Sequence, residues 1–157
     1  MDDVAAVTAL LGRAPLAEFD VVVRTKNGSP AVIRNAPFLF DGTPMPTRYW
    51  LVDPELNAAV SRLESGGGVR AAEAALAADI IAATHAAYAA ERDATIPAEH
   101  TGPRPSGGVG GTARGVKCLH AHYAAYLAGT GDVVGEWTDV QLQAIAAEPA
   151  RDETGSR

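Results

Sequence analysis

Apolar positions along the chain change their spacing several times, and each change marks an element. Val4, Val7, Leu10 and Leu11 recur at helical spacing behind Asp2 and Asp3, either of which can cap a helix that Gly12 stops. Phe19-Asp20-Val21-Val22-Val23-Arg24-Thr25 is a β-branched run. Lys26-Asn27-Gly28-Ser29-Pro30 separates it from Ala31-Val32-Ile33-Arg34-Asn35, and two such runs around Asn-Gly read as a hairpin. Asp41-Gly42-Thr43-Pro44 signals a turn, after which Tyr49-Trp50-Leu51-Val52 reads as a third short strand.

Helical spacing then takes over. Asp53-Pro54 places aspartate at a cap and proline at the first helical position, Leu56, Val60 and Leu63 share a face, and Ser65-Gly66-Gly67-Gly68 ends the helix. A longer alanine-rich helix is expected from about Val69 to about Ala94, with Leu76, Ile80 and Ile81 on its apolar side. Pro97 to Gly115 holds three prolines and six glycines and reads as a long flexible loop. Helices near Val116–Ala128 and Thr138–Ala147 follow, the second stopped by Pro149. The fold class is α+β: a small antiparallel sheet of about three short strands within residues 19–52, packed with four to five mostly C-terminal helices. Residues 1–150 are expected to form a single domain and residues 151–157 a disordered tail.

Composition narrows the function classes. Thirty-two of the 157 residues are alanine, so the large core side chains come from a short set of Val, Leu, Ile and aromatics. A net charge of −6 argues against general nucleic-acid binding, which needs a basic face for the phosphates. No apolar run approaches the ~20 residues of a membrane span, and Met1-Asp2-Asp3 lacks the positive start of a signal peptide. Cys118 is the single cysteine, which excludes an internal disulfide and suits a reducing, cytoplasmic compartment.

That cysteine lies in the densest patch of chemistry, Arg114-Gly115-Val116-Lys117-Cys118-Leu119-His120-Ala121-His122-Tyr123. Thiolate and imidazole both suit Zn²⁺, so Cys118, His120 and His122 are candidate metal ligands, with His85, Asp53, His100 or a more remote carboxylate as further candidates. On a regular helix Cys118 and His122 share a face, whereas an extended Cys118 brings His120 to its side instead. The same residues also suit a buried thiol with hydrogen-bonded histidines, or a nucleophilic Cys118 served by His120 or His85. Arg114 and Lys117 beside the glycine-rich loop suggest an anion cradle, although no Walker A sequence is present. His85, Tyr88 and Arg92 share one helix face, either packed on a neighbour or joined with Lys117–His122 and Tyr49 in a polar pocket.

Asp41-Gly42-Thr43-Pro44-Met45-Pro46-Thr47-Arg48-Tyr49-Trp50-Leu51, Ser61-Arg62-Leu63-Glu64, His85…Tyr88…Glu91-Arg92-Asp93 and Val116-Lys117-Cys118-Leu119-His120 together resemble domain-of-unknown-function family 501. The resemblance covers roughly residues 19–136. It implies a bacterial protein, often encoded beside enolase, a septum-formation initiator and an exopolyphosphatase. It also implies a metal site in typical members, two of whose expected Cys or His positions correspond here to Thr25 and Asp53. The site is then degraded, or rebuilt from Asp53, Cys118, His120 and His122.

The function expected from these features is that of a small cytoplasmic binding or accessory protein. Its polar pocket would draw on Tyr49, His85, Arg92, Arg114 and Lys117 for a small anionic ligand or a protein partner. The alternative is a metal-dependent hydrolase or phosphate-ligand enzyme using the same pocket, with Zn²⁺ as the candidate cofactor.

Overall fold

The computed structural model describes residues 2–148, so the tail expected at 151–157 lies outside the described residues. Three strands, β1 (Ala17–Arg24), β2 (Pro30–Leu39) and β3 (Tyr49–Leu51), form an antiparallel sheet in the order β1-β2-β3. The β1–β2 turn closes through Thr25 N–H to Ser29 O at 2.8 Å, with Gly28 at φ +83 where a side chain is disfavoured. Val21 pairs with Ile33 and Val23 with Val32, so Val22 is an extra residue that bulges β1.

Both faces of this sheet are covered, which explains why its strands read as near-continuous apolar runs. Val7, Leu10 and Leu11 of α1 (Asp3–Leu11) pack on Phe19, Val21, Ile33, Trp50 and Val52. The residues between these in sequence, Val32, Tyr49 and Leu51, turn the other way into the main core with the remaining helices. Those helices are α2 (Pro54–Ser65), α3 (Gly68–Ala75), α4 (Ala78–Asp93), α5 (Leu119–Leu127) and α6 (Val133–Ala147). A 3₁₀ turn at Val109–Gly111 interrupts the α4–α5 connection. The α+β class holds, with the helices concentrated after the sheet. No helix among the described residues is long and apolar enough to cross a membrane.

The local signals behave as their chemistry dictates. Asp2 accepts the Ala5 amide at 2.7 Å and Asp53 the Leu56 amide at 2.9 Å, so both aspartates cap helices. The helix expected over Val69–Ala94 is instead two, α3 and α4, broken where Leu76 and Ala77 take extended backbone at ψ 139 and 141. An unbroken alanine-rich pattern carries no mark of that break; turning Leu76 onto the core is what imposes it. The helix α6 starts at Val133, earlier than its apolar spacing suggests, because Asp132 caps it through the Gly135 amide at 2.8 Å. Gly135 is required there for packing, since a Cβ would collide with His122 O and Tyr126 Cβ on α5.

The second half of Pro97–Gly115, from Pro105 onward, is anchored by side chains of the helix α4. The Arg92 guanidinium, 1% exposed, donates to Gly107 O at 3.0 Å, Pro105 O at 3.5 Å and Pro46 O at 3.2 Å. His85 holds the other end: Nδ1 accepts the Val109 amide at 3.0 Å and Nε2–H donates to Gly115 O at 2.7 Å. Gly108 passes so close to His85 that a Cβ there would overlap the His85 backbone. The segment expected to be a flexible loop is thus clamped to α4 by two buried polar side chains.

A candidate binding cleft at the start of the fifth helix

Cys118 precedes α5 with extended backbone at φ −152, ψ 153, and its side chain makes no capping hydrogen bond. Cysteine is a poor helix cap, and the missing acceptor comes from another helix. Glu64, one residue from the end of α2, accepts the Leu119 amide at 2.6 Å through Oε1. The same oxygen lies 3.0 Å from His120 Nδ1, while His120 Nε2 lies 3.1 Å from Ser61 Oγ and 3.3 Å from Asn57 O. Because Cys118 is extended and His120 is helical, their side chains converge. One ligand atom each of Glu64, Cys118 and His120 lies within 4.8 Å of the other two.

Cys118 and His120 open onto a cleft of about 370 Å³, also lined by Arg13, Gly110, Lys117 and Tyr49. Trp50 and Leu11 supply an apolar wall. Arg13 and Lys117 are exposed, and neither makes an ion pair among the described residues. A larger cleft, about 810 Å³, lies where Phe19, Arg34 and Phe40 meet, but its cations are already matched. There Arg34 pairs with Asp20 at 3.2 Å and Arg48 with Glu91 at 3.1 Å.

Of the residues singled out in the sequence, Tyr49, Lys117, Cys118 and His120 meet in the smaller cleft. The others serve elsewhere. Asp53 caps α2. His122 is fully buried on α5, where Nδ1–H donates to Asp132 at 2.8 Å and the ring lies edge-on to His85 at 5.3 Å. His85 and Arg92 clamp the loop, as described above, and Arg114 is exposed outside the cleft lining. The glycine-rich loop uses five of its amides to hold its own shape, which leaves fewer for the anion cradle expected of it. Its Gly108, Val109, Gly111, Thr112 and Arg114 amides are all engaged by Thr112 O, His85 Nδ1, Gly108 O, Val109 O and Thr112 Oγ1 respectively.

Sequence spacing overlooked Glu64. Its partners Leu119 and His120 lie fifty-five and fifty-six residues away, and a lone glutamate on a helix ordinarily marks a solvated face. The signal was present only as part of the Ser61-Arg62-Leu63-Glu64 segment.

Tyr49 and Tyr88 fasten the floor of this region. The Tyr88 hydroxyl accepts the Arg48 amide at 2.5 Å and the Tyr49 amide at 3.2 Å, and burial pushes its pKa up to about 12. The Tyr49 hydroxyl donates to Glu91, and its pKa is raised chiefly by burial and then by that carboxylate.

The sequence model of a family described as "Protein of unknown function (DUF501)" matches residues 21–140. No curated protein and no solved structure matches the chain.

Proposed function

The chain belongs to the DUF501 family, and from its cleft geometry we propose that it is a binding module for a small organic anion. One observation carries this: Arg13 and Lys117, brought from distant parts of the sequence, line one cleft and neither has a carboxylate partner among the described residues. Two such cations repel each other, and an anion between them removes the repulsion. In a chain of net charge −6 a local positive site also selects against the protein's own surface. Glu64 already occupies the Leu119 amide, so the helix end adds little and the two side chains are the anion's main partners. Trp50, Leu11 and Tyr49 favour a ligand with an apolar or planar body. A single thiol suits a reducing compartment, and on that ground we place the protein in the cytoplasm.

Phenyl phosphate joins both features in one probe. It should raise the melting temperature of the full chain more than inorganic phosphate or phenol does. Lys117→Ala should remove that shift, and Arg114→Ala, outside the cleft, should keep it. An equal shift in wild type and Lys117→Ala would sink the proposal.

A further inference from the structure

We infer that Glu64, Cys118 and His120 form a three-ligand site for a transition metal, with Zn²⁺ the ion that suits the donor set. Carboxylate, thiolate and imidazole are all zinc ligands, and their mixture matches a borderline-soft cation better than Mg²⁺ or Ca²⁺. Their ligand atoms lie within 4.8 Å of one another, and Glu64 Oε1 and His120 Nδ1 are 3.0 Å apart, so side-chain adjustment brings the three to the roughly 3.5 Å spacing of donors around tetrahedral zinc. The side chains of Glu64 and His120 are 25% and 26% exposed and Cys118 is half-buried, so an ion can enter without unfolding the site.

The hydrogen-bond pattern of His120 supports the assignment. Glu64 Oε1 at Nδ1 and Asn57 O near Nε2 are both acceptors only. A neutral ring has one N–H and satisfies one of them. With Nε2–H held by Asn57 O or Ser61 Oγ, the Nδ1 lone pair faces a carboxylate oxygen across 3.0 Å, and a cation between them turns repulsion into binding. An Nε2–H fixed on a carbonyl or hydroxyl is also how metal-bound histidines are commonly oriented. The opposite tautomer, with Nδ1–H on Glu64 and Ser61 O–H on Nε2, satisfies the ring without an ion, and so does a doubly protonated ring with one N–H on Glu64 and the other on Asn57 O. Neither gives a role to the Cys118 thiol, which makes no hydrogen bond among the described residues yet has its sulfur within 4.8 Å of a ligand atom of both partners. Three protein ligands leave a fourth position for water or a ligand, and two of the three line the cleft.

The site does not depend on anion binding, and the two separate experimentally. Full-length protein, purified without chelator, is stripped and titrated with Co²⁺ and then Zn²⁺. One ion per chain is expected, with thiolate-to-Co²⁺ charge-transfer absorption that Zn²⁺ displaces. Cys118 is the chain's single thiol, so its reactivity toward a thiol reagent reports this site alone. Zn²⁺ should suppress that reactivity in the wild-type chain and a chelator should restore it. Glu64→Gln keeps an acceptor for the Leu119 amide and should weaken the metal about tenfold or more, whereas Arg114→Ala, outside the cleft lining, should leave affinity unchanged. The inference is overturned by absent charge transfer, by a thiol that Zn²⁺ does not protect, or by wild-type affinity in a folded Glu64→Gln variant.

Discussion

Glu64 on α2 accepts the backbone amide of Leu119 at 2.6 Å, so one helix caps the start of another beside the cleft. The bond fixes where α5 begins and therefore where Cys118 and His120 stand. Replacing Glu64 by Ala removes the acceptor for Leu119 and the partner of His120. A loss of about 1–2 kcal/mol is expected, as for removal of an N-cap, with Glu64→Gln costing less because its amide oxygen still accepts. Urea unfolding of the two variants checks the order, and equal losses would show that capping is not Glu64's role.

Arg92 is the clamp whose removal should be felt furthest. Its guanidinium satisfies the carbonyls of Pro46, Gly107 and Pro105 in the interior. Arg92→Met fills similar volume but leaves these acceptors unpaired; at ~1–3 kcal/mol per buried unsatisfied group, with the part-buried Pro46 and Gly107 carbonyls regaining bonds to water, a loss of roughly 2–4 kcal/mol is expected. Limited proteolysis should then cut between residues 97 and 115 well before wild type is cut there. A variant as resistant as wild type would mean that the segment is held by its own packing.

Alkaline pH should unfold the protein through its buried tyrosines. Burial lifts Tyr88 from 10.0 to about 12, and Tyr123, buried and bonded to Asp139, likewise rises to about 12. Between those values the unfolded chain has released the proton that the folded chain still holds, so stability falls as pH rises. The contribution is complete below pH ~10 and lost by pH ~12, amounting to about 3 kcal/mol for Tyr88 at ~1.4 kcal/mol per unit. Tyr88→Phe should shrink this alkaline loss. It should also cost roughly 2 kcal/mol at neutral pH, because the Arg48 and Tyr49 amides lose their acceptor. Melting temperatures from pH 8 to 12 measure both effects.

The elements most legible in the sequence carry local chemistry. Asp53-Pro54 marked the start of α2, Asn27-Gly28 the β1–β2 turn, and Gly12 the end of α1, because each acts on its neighbours alone. Breaks imposed from a distance left no such trace. Leu76 and Ala77 end one helix and begin another inside a pattern that looks continuous. The candidate site divides in the same way. The spacing of His85, Tyr88 and Arg92 correctly put them on one face, and all three are buried. Residue type cannot separate a polar side chain that binds ligand from one that holds a loop, and two of these hold the loop. Lys117, Cys118 and His120 stood together in sequence and meet in space, whereas Glu64 and Arg13 join them only through the fold.

The central claim, that the α5 cleft receives an organic anion, is tested most directly by following backbone amides and the Trp50 indole by NMR during titration with phenyl phosphate. Saturable shifts are expected at Gly110, Lys117, Cys118 and Trp50, with Gly110, Cys118 and Trp50 silent in Lys117→Ala. Shifts gathered instead around Phe19, Arg34 and Phe40 in the larger cleft, or none that saturate, would contradict it.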